Sequence, residues 1–398
     1  MFINENVKTP VVESYEVAVC GGGFAGISAA LASARQGKKT VLFERGFILG
    51  GLATAGLVTI YLPLCDGKGR QVSFGIAEEL FKLSISLGAE ALYPENWLNG
   101  VGTKTENDKR FEVRFNAQLF AILCEKLLLE NNVDIMYGSM VCGADVQDGK
   151  IKHLIIENKS GRSAYSVSSV VDATGDCDVA NLANVPCKTF KQGNVLAAWY
   201  YYLGKDGYNL NTLGFCDVPE EEKTEDNALM PLVEKRFTGL DGKELSLQTC
   251  MSHASTLNDI IKRRQTDESI IPVTIATIPQ VRMTRKIDGE YEMSDKEEHV
   301  YFEDSIGMVS NWKKRGPVYE VPVRTLYNRN IKNLACAGRC TSVNETLWDV
   351  MRVIPCCAVT GQAAGTMAAM TDDFTKLDVK KLQEKLLNAG VVLHEKDL

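Results

Sequence analysis

The chain has 398 residues, 45% of them hydrophobic, and a net charge of −7, which gives apolar material for a substantial core and more length than one usual domain. Its 44 basic residues are dispersed among 51 acidic ones, a distribution without the basic stripe that a nucleic-acid binder needs. No apolar run approaches the roughly 18 residues of a spanning helix, and Met1–Asn6 has neither a basic start nor an apolar signal core, so a soluble, cytoplasmic protein with no nucleic-acid and no membrane partner is expected.

Tyr15–Cys20 is a short apolar run of the kind that makes a buried parallel strand. The glycines of Gly21-Gly22-Gly23-Phe24-Ala25-Gly26 follow without a gap. In such a turn Gly21 permits the reversal, Gly23 lets a pyrophosphate approach the backbone, and Gly26 lets the next helix lie flat on the strand. That helix offers free N–H groups at its start, stays slim through Ala29, Ala30, Ala32 and Ala34, and ends near Gly37. Thr40–Phe43 forms the second strand, closed by Glu44, which stands roughly 20 residues past the fingerprint, where an acid accepts ribose hydroxyls. The sequence therefore predicts a dinucleotide site. Gly50–Gly56 adds a second small-residue loop suited to backbone contact with a diphosphate.

Val133–Asp176 reads as a β-meander, with turns at Asp148-Gly149 and Ser160-Gly161, that delivers Ala173-Thr174-Gly175-Asp176 to a strand end. Trp199–Tyr202 is an aromatic strand whose alternation sends Tyr200 and Tyr202 to one face and Tyr201 to the other. Residues 219–227 are a charge run, most simply a solvated segment. Leu245–Arg264 has the spacing of an amphipathic helix and carries His253; among His153, His253, His299 and His394 it is the candidate base. Ser269–Ile278 reads as a strand. Arg282 and Arg285 follow it, either clamping a carboxylate or carbonyl in a cleft or pairing with Asp295–Glu298. Near the end come Asn333–Arg339, then Arg352, then a helix of small residues over Val359–Met370 that includes Gln362.

The Ala-Thr-Gly segment resembles that of two-dinucleotide-binding-domain flavoproteins of the glutathione reductase type. Ile278–Ile287, Gly289–Tyr291, Asn333–Arg339, Met351–Cys357 and Gly361–Gly365 are similar to the FAD-dependent oxidoreductase family, whose members mostly have no assigned substrate. The likeness runs over Tyr15–Thr59, Phe115–Asn184 and Ile278–Met370. It implies FAD held by Gly21, Gly23, Gly26, Glu44, Arg45, Gly51, Thr54, Ala173, Gly175, Gly338 and Arg339, with Phe24, Ala25, Gly50, Leu52, Thr174 and Gln362 completing the candidate set. It also implies a helix N-terminus directed at the flavin and an Arg352 close to the ring. The chain departs from the family at Thr346–Arg352, where similar sequences carry a His and small residues before the arginine, so the catalytic acid stays open.

The expected fold is α/β: a Rossmann-like FAD-binding domain with a parallel sheet and a β-meander, built from residues 1–60, 113–185 and 325–375. A mixed α+β substrate domain (61–112 and 186–324) interrupts it, and a helical tail spans 376–398. None of the 12 cysteines forms a Cys-x-x-Cys pair. The spacing of Cys336, Cys340, Cys356 and Cys357 matches no common iron–sulfur or zinc pattern, so they read as small packing residues and no metal is expected. The leading functional reading is a dehydrogenase or reductase that moves hydride between flavin N5 and a small polar metabolite, with Arg352, Arg282, Arg285 and His253 as candidate catalytic groups. Two others compete: an electron-transfer subunit with a redox partner protein, and a flavin monooxygenase. The absence of a second G-x-G-x-x-G argues against a dedicated nicotinamide domain. Self-association is left open.

Overall fold

The computed structural model describes residues 3, 6–62, 64–88, 113–214 and 231–398; the charge run at 219–227, Cys216 and residues 89–112 of the first insert lie outside the described residues.

β1 (Val11–Cys20) is buried over its last four residues. Val17 and Val19 enter the core on one face of the sheet, and Ala18 and Cys20 enter the core on the other. A strand covered on both sides gains nothing from alternating polar residues, which explains its continuous apolar run. The glycine turn leads into α1 (Phe24–Ala34), and β2 (Thr40–Phe43) returns parallel to β1. β3 (Ile60–Tyr61) pairs with β4 (Val113–Arg114), with α2 (Ile76–Ile85) between them in sequence. α3 (Ala117–Glu130) then crosses over to β5 (Val133–Met136), which lies parallel to β2.

Three antiparallel strands follow, β6 (Met140–Gln147), β7 (Lys150–Asn158) and β8 (Gly161–Asp172). The expected meander is thus present but starts at Met140. Val133–Met136 belongs instead to the parallel sheet, because a strand that follows a crossover helix returns in the direction it left. β8 is long enough to be shared. His153–Asn158 of β7 pairs with its first half, and β16 (Leu334–Cys336), parallel to it, takes Val170–Asp172 on the same edge. The sheet order is β5-β2-β1-β8-β7-β6, with β16 beside β8.

Between β8 and β16 run α4 (Asp178–Leu182), β9 (Cys187–Thr189), β10 (Ala198–Gly204), β11 (Gly207–Leu213), α5 (Gly242–Thr266), β12 (Ile271–Ile275), β13 (Arg285–Ile287), β14 (Ser305–Ser310) and β15 (Val318–Pro322). β11-β10-β12 is a separate antiparallel sheet, and α5 is tied to it by Tyr200 Oη donating to Asp259 Oδ2 at 2.6 Å and Ser252 Oγ donating to Ala197 O at 2.9 Å. Tyr200 and Tyr202 do share a face, with ring centroids 6.0 Å apart, while Tyr201 stacks on Tyr208 at 4.8 Å. α5 departs from the amphipathic expectation. Only Gln248 and Thr256 are buried, and Leu247, Leu257 and Ile261 face outward, because the small sheet it accompanies covers little of it.

α6 (Glu345–Met351) and α7 (Ile354–Met370) meet at an 89° bend, and α8 (Val379–Asn388) follows. α7 lies against α1 at backbone distance: a Cβ on Gly361 would stand 2.2 Å from Ala25 O, and one on Gly365 2.1 Å from Ala29 O. The alanines of α1 therefore serve this helix contact. Leu382 and Leu386 of α8 enter the main core, as do Tyr61, Leu80 and Phe81 from the first insert and Ile306, Tyr319 and Val321 from β14 and β15. The first insert and β14–β15 fall within the stretches expected to form the second domain, and α8 within the expected C-terminal tail; these side chains pack on the α1–α7 layer. Among the described residues no single helix is long and apolar enough to cross a membrane.

Candidate functional site

The parallel strands end in register. Cys20 aligns with Phe43 and Asp172, Phe43 with Met136, and Asp172 with Cys336. The chain therefore leaves β1, β2, β8 and β16 at one edge, where crevices form in such sheets. A cleft of about 330 Å³ opens there. Gly21–Ala25, Glu44–Ile48, Gly50–Ala53, Ala173–Asp176 and Ala337–Arg339 line it from the sheet side; Gly239, Leu245 and Thr277–Pro279 line it from the second sheet and α5; Arg352, Ile354 and Cys357 close one end.

The three fingerprint glycines take different positions. Gly21 adopts φ 103°, and a Cβ on it would stand 2.4 Å from Ala173 O; one on Gly26 would stand 1.8 Å from Gly21 O. Both are close-approach positions inside the protein, so Gly26 does not line the cleft. A Cβ on Gly23 would meet nothing within 4 Å, which leaves an open face on the cleft for a group that must touch backbone. Glu44 is held at its rim, Oε2 accepting from Gly22 N at 2.7 Å and Oε1 from Gly46 N at 2.6 Å. Each oxygen keeps a further lone pair for a hydroxyl.

Helix starts separate the cleft from the rest of the molecule. Asn116, Asp241, Asn344 and Asp378 cap α3, α5, α6 and α8 with their own side chains. Gln362 Oε1 accepts from Ile76 N at the start of α2, and Asp172 Oδ2 accepts from Ala180 N in α4. α1 and α7 start at Gly23 and Val353 with no side-chain cap, and both starts face the cleft. First-turn amides need acceptors, and two uncapped N-termini around one cleft fit a ligand that carries negative charge at both places. A diphosphate with an electron-accepting ring meets that description.

Several expected site residues lie elsewhere. Thr54 is buried, with Oγ1 donating to Leu49 O at 2.5 Å, so it pins the loop. Gln362 caps α2 from the far side of α7. Arg339 lines the cleft, yet its Nη1 donates to Val281 O at 2.7 Å and Arg282 O at 3.0 Å, and its Nη2 lies 3.2 Å from Asp176 Oδ1; it ties the cleft walls together. Arg282 is buried with its guanidinium 5.1 Å from the Trp199 ring centroid and does not line the cleft. Arg285 reaches Asp178 Oδ1 at 2.6 Å and Asp176 O at 2.9 Å, a structural pairing with a different acid from the Asp295–Glu298 stretch. His253 is exposed on α5 and also outside the cleft. The other histidines each face a carboxylate: Asp145, Glu395 and Glu320 for His153, His299 and His394.

Of the candidate catalytic groups, Arg352 alone lines the cleft. Its Nε donates to Asp349 Oδ1 at 2.8 Å, and Lys313 Nζ lies 2.5 Å from Asp349 Oδ2. Asp349 was missed from sequence, although its i,i+3 spacing to Arg352 on a short helix was a readable signal. The lining residues Thr277–Pro279 were given no site role from sequence, although Ile278 and Pro279 open a family-like segment; they follow β12 of another sheet. Burial pushes the Cys357 thiol up to about 12 against the opposing Arg339 and Arg352. Burial, then the neighbouring Asp176 and Asp172, push Asp178 up to about 6. Cys336 and Cys340 do not join Cys356 and Cys357; they face the opposite core with Cys177.

The chain matches the FAD dependent oxidoreductase family over residues 16–196 and 246–386. No curated protein matches it at a significant level. Solved structures include the THI4 protein of Thermovibrio ammonificans, at 19% identity and TM-score 0.30, covering 42% of this chain and 61% of that one. A geranylgeranyl bacteriochlorophyll reductase-like protein of Thermoplasma acidophilum aligns at 12% identity and TM-score 0.45, covering 95% and 82%. The L-amino acid deaminase of Proteus myxofaciens aligns at 14% and 0.43, covering 100% and 95%. The chain thus spans 61% of the length of the THI4 protein, and likenesses this distant carry no argument about activity.

Proposed function

The chain belongs to the FAD dependent oxidoreductase family, and we propose that within it this protein is a dehydrogenase or reductase that exchanges hydride with a small polar metabolite bound beside Arg352. FAD, when bound, supplies the hydride or electron carriage. The residues of the cleft supply the rest. Gly23 and the uncapped start of α1 receive the diphosphate, Glu44 accepts from ribose, and the uncapped start of α7 gives favourable potential to negative charge at the reacting end.

The observation that carries the reading is the placement of Arg352 next to the start of α7, in the cleft and oriented by Asp349. A guanidinium fixed in this way binds a carboxylate or polarises a carbonyl without first reorganising. The neutral Cys357 thiol beside it donates to Arg352 O at 3.3 Å and is not a nucleophile at neutral pH.

The test is an anaerobic visible spectrum of the FAD-loaded protein before and after pooled metabolites, with NADH and NADPH added separately. Bleaching by a metabolite supports the dehydrogenase reading and begins to name the substrate. Bleaching by a nicotinamide alone, coupled to oxygen uptake when air is admitted, replaces it with monooxygenase chemistry. Reduction only in the presence of a copurifying protein replaces it with the electron-transfer role.

A further inference from the structure

We propose that Asp172, Cys177, Cys336 and Cys340 form a closed binding site for one thiolate-preferring cation of the Zn²⁺ type, on the face of the main sheet opposite α1 and α7. The proposal is independent of the substrate reading above. It also departs from the spacing of the cysteines, which predicted packing alone.

Two segments distant in sequence bring the ligands together. Asp172 ends β8, Cys177 precedes α4, and Cys336 and Cys340 flank the turn after β16. The ligand atoms of Asp172, Cys177 and Cys336 all lie within 4.8 Å of one another, and all three residues are buried. Cys340 joins them through Cys177: the Cys177 amide donates to Cys340 Sγ at 3.1 Å, and Cys177 Sγ donates to Cys340 O at 3.6 Å.

The geometry is close to what a tetrahedral ion asks. With Zn–S near 2.3 Å, ligand sulfurs stand about 3.8 Å apart. Asp172, Cys177 and Cys336 already lie within 4.8 Å of one another, and Cys340, which is outside that set, is the fourth ligand that turns toward them. The outer contacts are also those of a metal site. The Cys177 amide fixes the position of the Cys340 sulfur. Asp172 Oδ1 is oriented by Thr174, through its amide at 3.1 Å and its hydroxyl at 2.6 Å. Asp172 Oδ2, which takes the Ala180 amide at 3.0 Å, retains a lone pair toward the sulfurs. Cys187 is only half-buried and gives an entry path on the exposed side. Two clustered thiols and a carboxylate, with the Cys340 thiol held beside them, make a soft, anionic donor set that selects Zn²⁺ over Mg²⁺ or Ca²⁺.

Four protein ligands leave no open position, so the site is structural. Its ion would clamp the strand ends that carry Ala173–Gly175 and Gly338–Arg339 into the cleft, and metal loss would loosen cofactor retention with no contact between metal and substrate.

The experiment is metal analysis and Co²⁺ exchange on the full chain. The expected result is one Zn²⁺ per chain after Zn²⁺ supplementation and desalting. Exchange should then give the d–d absorption of tetrahedral thiolate-bound Co²⁺, to the red of the flavin bands. Cys336→Ser and Cys340→Ser should each weaken Co²⁺ retention by on the order of 10- to 100-fold or more, while Cys124→Ser, at a buried thiol in α3, leaves it unchanged. Because a core variant can unfold the chain, the wild-type protein supplies a second readout. Its Cys177, Cys336 and Cys340 should resist alkylation until a chelator is added. Substoichiometric metal after supplementation, a Co²⁺ spectrum indifferent to Cys336→Ser in folded protein, or alkylation indifferent to chelator would each overturn the proposal.

Discussion

Arg352 and Asp349 form a buried ion pair at the bend between α6 and α7, with side chains 6% and 0% exposed. Nε and Nη2 of Arg352 both donate to Oδ1, and Lys313 approaches Oδ2. One carboxylate therefore balances two cations beside the cleft. Removing it takes a buried partner from both cations, and Asp349→Ala should cost about 3–5 kcal/mol in urea denaturation. A loss no larger than that of an exposed ion pair would mean that the arginine finds another acceptor.

Arg352→Ala tests the role of the guanidinium itself. The FAD content should stay at the wild-type level while substrate-driven flavin reduction falls by on the order of 100-fold. If the flavin is lost as well, Arg352 supports the cofactor and not the substrate.

Glu44 is fixed by two amides and aimed at the cleft rim. Hydrogen bonds to a charged acceptor are worth ~1.5–3 kcal/mol, so Glu44→Ala should stay folded and weaken FAD binding by roughly 10- to 100-fold. Fluorescence titration of the apoprotein reads this directly; an unchanged Kd would remove Glu44 from the site.

Gly23 and Gly26 should separate folding from binding. Gly23 has φ −74°, which any residue adopts, and its added side chain would enter the cleft. Gly23→Asp should therefore retain thermal stability, cap α1 with its own carboxylate and abolish FAD retention. Gly26→Ala instead drives a methyl into Gly21 O and should cost about 1–3 kcal/mol or more. Equal effects of the two substitutions on stability would contradict the geometry.

Cys357 lines the cleft as a thiol whose pKa burial has raised to about 12. Only the thiolate reacts with iodoacetamide, so alkylation at pH 7 should be slower than at the exposed Cys250. Its rate should keep climbing through the mildly alkaline range without a plateau. A plateau near neutral pH, read by mass spectrometry of the labelled peptide, would show an activated cysteine instead.

The sequence alone was sufficient for the cradle. Cys20–Gly26, Thr40–Glu44 and Ala173–Gly175 obey local rules, in which a buried strand must be apolar, a tight turn needs glycine and a strand-to-helix unit has a fixed span; local rules are legible in one dimension. Tertiary structure decided the rest. It turned Arg282 onto Trp199 and Arg285 onto Asp178, gave Gln362 to α2 as a cap, and placed Val133–Met136 in the parallel sheet. It also brought Cys177 to Cys340, 163 residues further along the chain, and among the described residues it left the starts of α1 and α7 at the cleft with no side-chain cap. Side-chain direction and the convergence of distant segments depend on how strands align and which faces pack, and that information exists only once the sheet has formed.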